Sequence, residues 1–123
     1  MNGSIDEIKV YRYARSAKQI LLDYNSNAAA ASKGSSAVMG VRDTSILSNG
    51  LVGYWKMDEN VSGNSQTLRD ASGNAFDLTT NYGANASGMD CTTPGQFGTG
   101  CTFDGSDDKA TVGDNNMLRP ANN

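Results

Sequence analysis

The sequence lacks histidine altogether and contains only two cysteines, two prolines and one tryptophan. Without histidine the chain has neither the usual general base of enzymes nor the commonest zinc ligand. No apolar run approaches the roughly 20 residues that a membrane-spanning helix needs. Lys and Arg number 10 against 13 Asp and Glu, for a net charge of -3. An acidic chain offers no basic surface for nucleic acid.

The clearest pattern that is present lies in residues 50–59, GLVGYWKMDE. Apolar and polar side chains alternate there, which is typical of a strand with one buried face. The stretch contains the only tryptophan. We expect the buried face to carry Leu51, Gly53, Trp55 and Met57. The other face then carries Val52, Tyr54, Lys56 and Asp58.

The N-terminal part of the chain predicts a strand followed by a short helix. Ile8 and Val10 alternate with polar neighbours, which favours a strand within residues 4–13. Ser16 and Gln19 have the spacing of a capping box and predict a helix over residues 17–25. Residues 27–49 are rich in Ala, Ser and Gly and are typical of a linker.

The remaining residues predict short strands joined by turns. Strands are expected over residues 76–79, 101–103 and 109–112, which brings the total to five. Residues 69–74 and 104–108 have the composition of tight turns. Residues 60–66 show no period and are expected to form a loop, and residues 81–100 are rich in turn formers.

Cys91 and Cys101 enclose a short segment of turn formers that includes Pro94 and Gly95. With no histidine and no second pair, they make a poor metal site. A local disulfide is the better interpretation, and it implies an oxidising compartment. The alternative is two free thiols in a cytosolic protein.

Several segments together resemble the laminin G-like, concanavalin A-like lectin modules. Residues 50–59, DASGN at 70–74, and FDGSDD at 103–108 resemble the opening half of such a module. Residues 3–20, GSIDEIKVYRYARSAKQI, resemble its closing strand and helix. The resemblance implies an antiparallel β-sandwich of jelly-roll type, incomplete here, with one short helix. It divides the chain into the end of one module (1–26), a linker (27–49) and the first half of the next (50–123).

Two half-modules leave strands without their partners, because a jelly roll needs about eight strands. Three outcomes follow. The N-terminal strand folds back onto the Trp55 strand, neighbouring copies or modules donate the missing strand, or part of the chain stays disordered. We favour the first two, because the N-terminal strand and the capped helix are well specified locally.

The turn at residues 70–74 is a candidate calcium site. Asp70, Ser72 and Asn74 place oxygen-bearing side chains at alternate positions, with Asp77 nearby, and calcium takes 6–8 oxygen ligands. The resemblance implies a structural calcium and adds Asp6 from the closing strand. The alternative is an Asx-turn whose side chains bond local amides.

A second acidic turn contains Asp104, Asp107 and Asp108, and we expect it to stay solvated.

The predicted function is non-catalytic. Glycosidases need two positioned carboxylates, but Asp58 and Glu59 are adjacent and point to opposite faces of a strand. Tyr82, in a polar loop, is the candidate ligand-binding residue. We expect a secreted or cell-surface adhesion module that binds glycan or an extracellular protein. The alternative is a structural repeat, or a self-assembling subunit, of a large surface protein.

Overall fold

A computed structural model describes residues 1–25, 48–81 and 88–119 in full and the backbone of residues 26–31. These parts of the chain contain eight strands, one α-helix and one turn of 3-10 helix at Asn116–Leu118. The helix, α1, spans Ala17–Ala31. The strands are β1 (Asn2–Ile5), β2 (Ile8–Tyr11), β3 (Leu51–Trp55), β4 (Thr67–Leu68), β5 (Leu78–Asn81), β6 (Asp90–Pro94), β7 (Thr99–Asp104) and β8 (Lys109–Thr111).

The described strands form three small antiparallel sheets. Their orders are β1-β7-β6, β2-β3 and β4-β5-β8. The predicted mainly β, antiparallel fold with one short helix is therefore confirmed. Two strands were missed: β4 directly follows the expected loop, and β6 lies inside the segment expected to be rich in turns. Neither shows strict alternation of apolar and polar residues, so periodicity alone does not reveal them.

The N-terminal strand region folds back onto the rest of the chain. β1 pairs with β7, with Asn2 opposite Asp104, and β2 pairs with β3, with Lys9 opposite Tyr54. The single strand predicted over residues 4–13 is in fact two strands. Glu7 between them has a φ of 57°, in the left-handed region, which turns the chain from one sheet to the other.

Helix α1 begins as predicted and ends later. The Ser16 backbone N–H donates to Gln19 Oε1 at 2.8 Å, and the Gln19 N–H donates to Ser16 Oγ at 3.4 Å, so the capping box is confirmed. The helix continues to Ala31 rather than residue 25. Alanine has the highest helix propensity, and the run that begins at Ala28 prolongs the helix.

Strand β3 lies at the centre of the core. Trp55 and Met57 are buried as predicted, and the Trp55 indole N–H donates to the carbonyl of Phe76 at 2.8 Å. The prediction of a single buried face is wrong, because Val52 on the opposite face is also buried. The buried apolar residues are Val52, Trp55, Met57, Leu68, Phe76, Leu78, Met89, Cys91 and Cys101.

A disulfide joins Cys91 on β6 to Cys101 on β7. Both cysteines are fully buried, and the sulfur of Met57 lies 3.4 Å from Cys101 Sγ. The bridge therefore links two neighbouring strands inside the core and also contacts the segment that follows β3.

Gly53 provides a test of the packing around Trp55. A Cβ added at Gly53 would lie 2.9 Å from Cζ2 of the Trp55 indole. We expect Gly53→Ala to lower the free energy of unfolding by roughly 1–3 kcal/mol, since an overpacked core must shift. The matched control is Gly113→Ala, where no atom lies within 4 Å of the new Cβ. Urea unfolding of both variants measures the difference, and equal stabilities would contradict this account of the core.

The disulfide gives a second prediction. Without reductant, neither Cys91 nor Cys101 should react with an alkylating reagent, and intact mass measures this directly. After reduction we expect a loss of about 2–3 kcal/mol of stability, the chain-entropy value for so short a loop. Two alkylated cysteines in the unreduced protein would disprove the bridge.

Candidate functional site

A surface cleft of about 1180 Å³ lies beside the end of β2. Residues 10–14 form one wall, residues 116–119 around the 3-10 helix form the other, and Val52 of β3 also lines it. The cleft thus combines side chains from three distant parts of the sequence.

Local packing holds the aromatic side chains of this cleft in place. The ring of Tyr13 lies over Gly50, where an added Cβ would be 2.7 Å from Tyr13 Cδ1. The hydroxyl of Tyr13 accepts a hydrogen bond from Gln19 Nε2 at 3.0 Å. Tyr11 meets Tyr13 edge to face, with ring centroids 6.4 Å apart. Tyr13 is 38% exposed, so part of its ring remains available at the surface.

Positive charge borders the same aromatic residues. The guanidinium of Arg15 stacks on the ring of Tyr11, with its carbon 4.1 Å from the centroid. Arg12 is exposed on the cleft wall. Burial, followed by the carboxylate of Asp23, raises the pKa of the Tyr11 hydroxyl above its ordinary value. Tyr11 therefore stays a neutral hydroxyl at physiological pH.

The 3-10 helix that forms the opposite wall is capped at its N-terminal end. The Asn115 side chain accepts the Met117 N–H at 2.9 Å, which begins the 3-10 helix. Met117 is 39% exposed. Arg119 forms an exposed ion pair with Asp114, which fixes the guanidinium at the rim of the cleft.

Sequence reasoning missed this cleft. It singled out Tyr82 instead, which lies outside the described residues. The available signal was the run Tyr11-Arg12-Tyr13, which continues the alternation of β2 beyond its last paired residue. The opposite wall carries no comparable signal, because residues 116–119 approach this run only in the folded chain.

The carboxylate of Asp70 bonds to the protein itself. Its Oδ1 accepts the N–H groups of Tyr54 and Ser72 at 2.9 and 2.8 Å. Its Oδ2 accepts the Phe76 N–H at 3.0 Å and lies 2.7 Å from the Ser72 hydroxyl. A carboxylate offers about four lone-pair sites, and all four face protein donors here.

The other predicted calcium ligands near Asp70 also have protein partners. Asn74 Nδ2 donates to the Val52 carbonyl at 2.9 Å, and Asp77 Oδ1 accepts the Asp70 N–H at 2.8 Å. This set of contacts does not fit a cation, because the Asp70 oxygens are already occupied. The geometry agrees with the Asx-turn alternative, and calcium binding at this turn stays an untested prediction.

Asp6 lies at a different turn from Asp70. Its Oδ2 accepts the Phe97 N–H at 3.0 Å, in the connection between β6 and β7. Asp58 Oδ1 accepts the Thr99 N–H at 3.0 Å, at the start of β7 directly after this connection. Together the two carboxylates hold this turn against the rest of the molecule.

One acidic cluster does bring carboxylates together. Oxygens of Asp104, Asp107 and Asp108 lie within 4.8 Å of one another in the turn between β7 and β8. Asp108 Oδ2 accepts the Asp104 N–H at 2.9 Å, and Asp104 Oδ1 accepts the Ser106 N–H at 2.8 Å. Hydrogen bonds within the turn account for these two oxygens. Asp104 is exposed, whereas Asp107 and Asp108 are half-buried, and the expectation that the turn stays solvated remains a prediction.

Asp58 and Glu59 do not form a carboxylate pair. Asp58 bonds to the backbone of Thr99, whereas Glu59 Oε1 accepts the Arg69 N–H at 2.8 Å. The two side chains thus bond to different parts of the chain, but they lie beyond the end of β3 and not on opposite faces of a strand.

A polar chain links the N-terminal segment to β3. The Tyr54 hydroxyl donates to Glu7 Oε2, and Lys9 Nζ lies 4.8 Å from the centroid of the Tyr54 ring. Burial and then the hydrogen bond to Glu7 raise the pKa of Tyr54 well above its ordinary value. Lys9 also forms an ion pair with Asp23 of α1, at 2.8 Å, with both side chains mostly shielded from solvent. These contacts link β3 to β2, and β2 in turn to α1.

Comparison of the chain with protein-family models, with curated proteins and with solved structures gave no match. Among the described helices, none combines the length and apolar character required to cross a bilayer.

Asp70 leads to a prediction about pH. Burial alone would raise its pKa, but hydrogen bonds from Phe76, Tyr54 and Ser72 outweigh burial and hold the pKa below its ordinary value. A carboxyl with a depressed folded pKa stabilises the protein above its unfolded pKa of about 3.9. That stabilisation is lost as pH falls through the folded pKa.

We therefore expect Asp70→Asn to cost roughly 2–4 kcal/mol at neutral pH, because bonds to a charged acceptor are lost. The difference in the free energy of unfolding between the native protein and the variant should shrink as the pH falls below about 4. Urea unfolding across this range measures it. Asp114→Asn is the matched control, since its exposed ion pair contributes about 1 kcal/mol at most. A gap that is absent at neutral pH, or constant with pH, would contradict this role for Asp70.

Proposed function

We propose that this chain is a non-catalytic binding module that recognises glycan through the cleft between residues 10–14 and 116–119. The observation that carries the proposal is the partly exposed Tyr13 ring, held in a fixed orientation beside Arg12. Sugar rings present apolar faces that pack on aromatic rings, and their hydroxyls accept hydrogen bonds from guanidinium groups. Polar groups that converge on a cleft beside aromatic side chains are typical of ligand sites.

The cleft composition supports binding rather than hydrolysis. Its lining consists of residues 10–14, Val52 and residues 116–119, and none of these is Asp or Glu. Hydrolysis of a glycosidic bond uses a pair of carboxylates on either side of that bond. The cleft can therefore bind a ligand, but its lining lacks the carboxylate pair that would cleave a glycosidic bond.

The proposal extends to fold family and location. Several segments resemble laminin G-like modules, and on this basis we propose that the fold is a lectin sandwich of the jelly-roll type. The buried disulfide supports a secreted or cell-surface location, because disulfides persist in oxidising compartments.

Glycan binding by Tyr13 is directly testable. The probe is an array of neutral and uronic-acid-containing oligosaccharides, followed by calorimetric titration of the strongest binder. We expect Tyr13→Ala to weaken binding by about tenfold or more, the equivalent of one good aromatic contact. Tyr13→Phe keeps the ring and should retain most of the affinity.

The matched control is Tyr24→Ala, which removes an exposed tyrosine outside the cleft lining and should leave glycan affinity unchanged. No binding to any glycan on the array would refute the proposal. Equal binding by the native protein and Tyr13→Ala would refute the assignment of the cleft.

A further inference from the structure

The charged side chains that line the cleft between residues 10–14 and 116–119 are all positive. The lining includes Arg12 and Arg119 and contains no Asp or Glu. The chain as a whole carries 13 acidic side chains against 10 basic ones. The charge of the cleft is thus opposite in sign to that of the protein as a whole. Positive charge on a concave surface raises the local concentration of anions, so the cleft favours an anionic ligand.

Arg12 has a guanidinium that is available to such a ligand. Its side chain is exposed, and in the described part of the chain no carboxylate pairs with it. The backbone N–H of Arg12 donates to the Gly50 carbonyl at 2.9 Å, which fixes the residue beside the start of β3. A guanidinium presents a planar fork of N–H donors that matches the two oxygens of a carboxylate. Arg12 can therefore bind one carboxylate with two parallel hydrogen bonds.

The guanidinium of Arg119 is already partly used. Its Nε donates to Asp114 Oδ1 at 3.1 Å, and a terminal N–H of the same group donates to the other oxygen of Asp114. Asp114 thereby balances the charge of Arg119. The lining of the cleft is left with the single uncompensated charge of Arg12, which matches one carboxylate rather than a densely sulfated chain.

Arg12 and the ring of Tyr13 can act on the same sugar. Neighbouring residues of a strand point to opposite faces, but the chain bends at residues 12 and 13, directly after β2, and both side chains line the cleft. An apolar face of a pyranose packs on an aromatic ring. The carboxylate of a uronic acid projects from the edge of the pyranose, so it can reach a guanidinium beside that aromatic ring.

We propose that the ligand of the cleft is an acidic glycan that contains uronic acid, and that Arg12 selects its carboxylate. This inference rests on the proposed glycan function and adds the substrate class. Tyr13 binds the apolar face of the sugar, and the Arg12 fork binds the carboxylate. A neutral sugar leaves Arg12 without an anionic partner, so it binds more weakly. Specificity is this difference between the two affinities.

Calorimetric titration with matched pairs of oligosaccharides tests the selection. The probes are tetrasaccharides of galacturonate, glucuronate and mannuronate, each compared with its own methyl ester, which removes the charge and keeps the sugar. We expect at least one free acid to bind about tenfold more tightly than its ester. This preference should fall severalfold between about 0.02 M and about 0.5 M NaCl, because salt screens exposed charges.

Variants of the full chain assign the preference to Arg12. Arg12→Ala should lower the affinity for the free acid by about tenfold and leave the ester within about twofold. Arg12→Lys keeps the charge but loses the planar fork, so it should retain only part of the preference. Asp114→Asn releases Arg119 and should raise the affinity for the free acid by about two- to fivefold.

The matched control is Arg69→Ala, which removes an exposed arginine outside the cleft lining and should leave the preference unchanged. Circular dichroism melting checks that every variant folds. Glycan binding with no preference for the free acid, or with a preference that Arg12→Ala leaves intact, would overturn this inference while the glycan function stands. Tighter binding of a κ-carrageenan tetrasaccharide, which is sulfated and lacks uronic acid, would overturn the choice of carboxylate. No binding of any glycan would overturn both proposals.

Discussion

The fold depends on how the two edges of β3 are satisfied. One edge pairs with β2, whereas no strand of the described sheets pairs with the other. The turn at residues 70–76 covers that second edge with side chains and single backbone contacts. Asp70 accepts the Tyr54 N–H, and Asn74 donates to the Val52 carbonyl. A buried backbone group without a hydrogen-bond partner is costly. Because this turn supplies partners to the second edge of β3, both Trp55 and Val52 can be buried in the core.

The same strand connects the core to the surface features. Tyr54 on β3 reaches Glu7 and Lys9 of the N-terminal segment, and Lys9 in turn holds Asp23 of α1. The cleft between residues 10–14 and 116–119 is therefore attached to the core through the pairing of β2 with β3, and helix α1 is attached through the ion pair of Lys9 with Asp23.

The sequence predicted those structural features that depend only on residues close together in the chain. The buried Trp55, the capping box at Ser16 and the pairing of Cys91 with Cys101 all follow from neighbouring residues. Features that need distant partners were not predictable. The burial of Val52 depends on the turn that begins at Asp70, and the cleft depends on residues 116–119 meeting residues 10–14. The bend at Glu7 needs a left-handed backbone that no sequence rule assigns to glutamate.

The pairing of β1 with β7 has a consequence for biosynthesis. Asn2 is synthesised about one hundred residues before its partner Asp104. At about 5–20 residues per second, β1 waits roughly 5–20 seconds for the strand that completes its sheet. During that interval its backbone groups can bind other chains. Folding of this sheet is thus a late event, and crowding of nascent chains on one messenger RNA is the condition under which mispairing would be greatest.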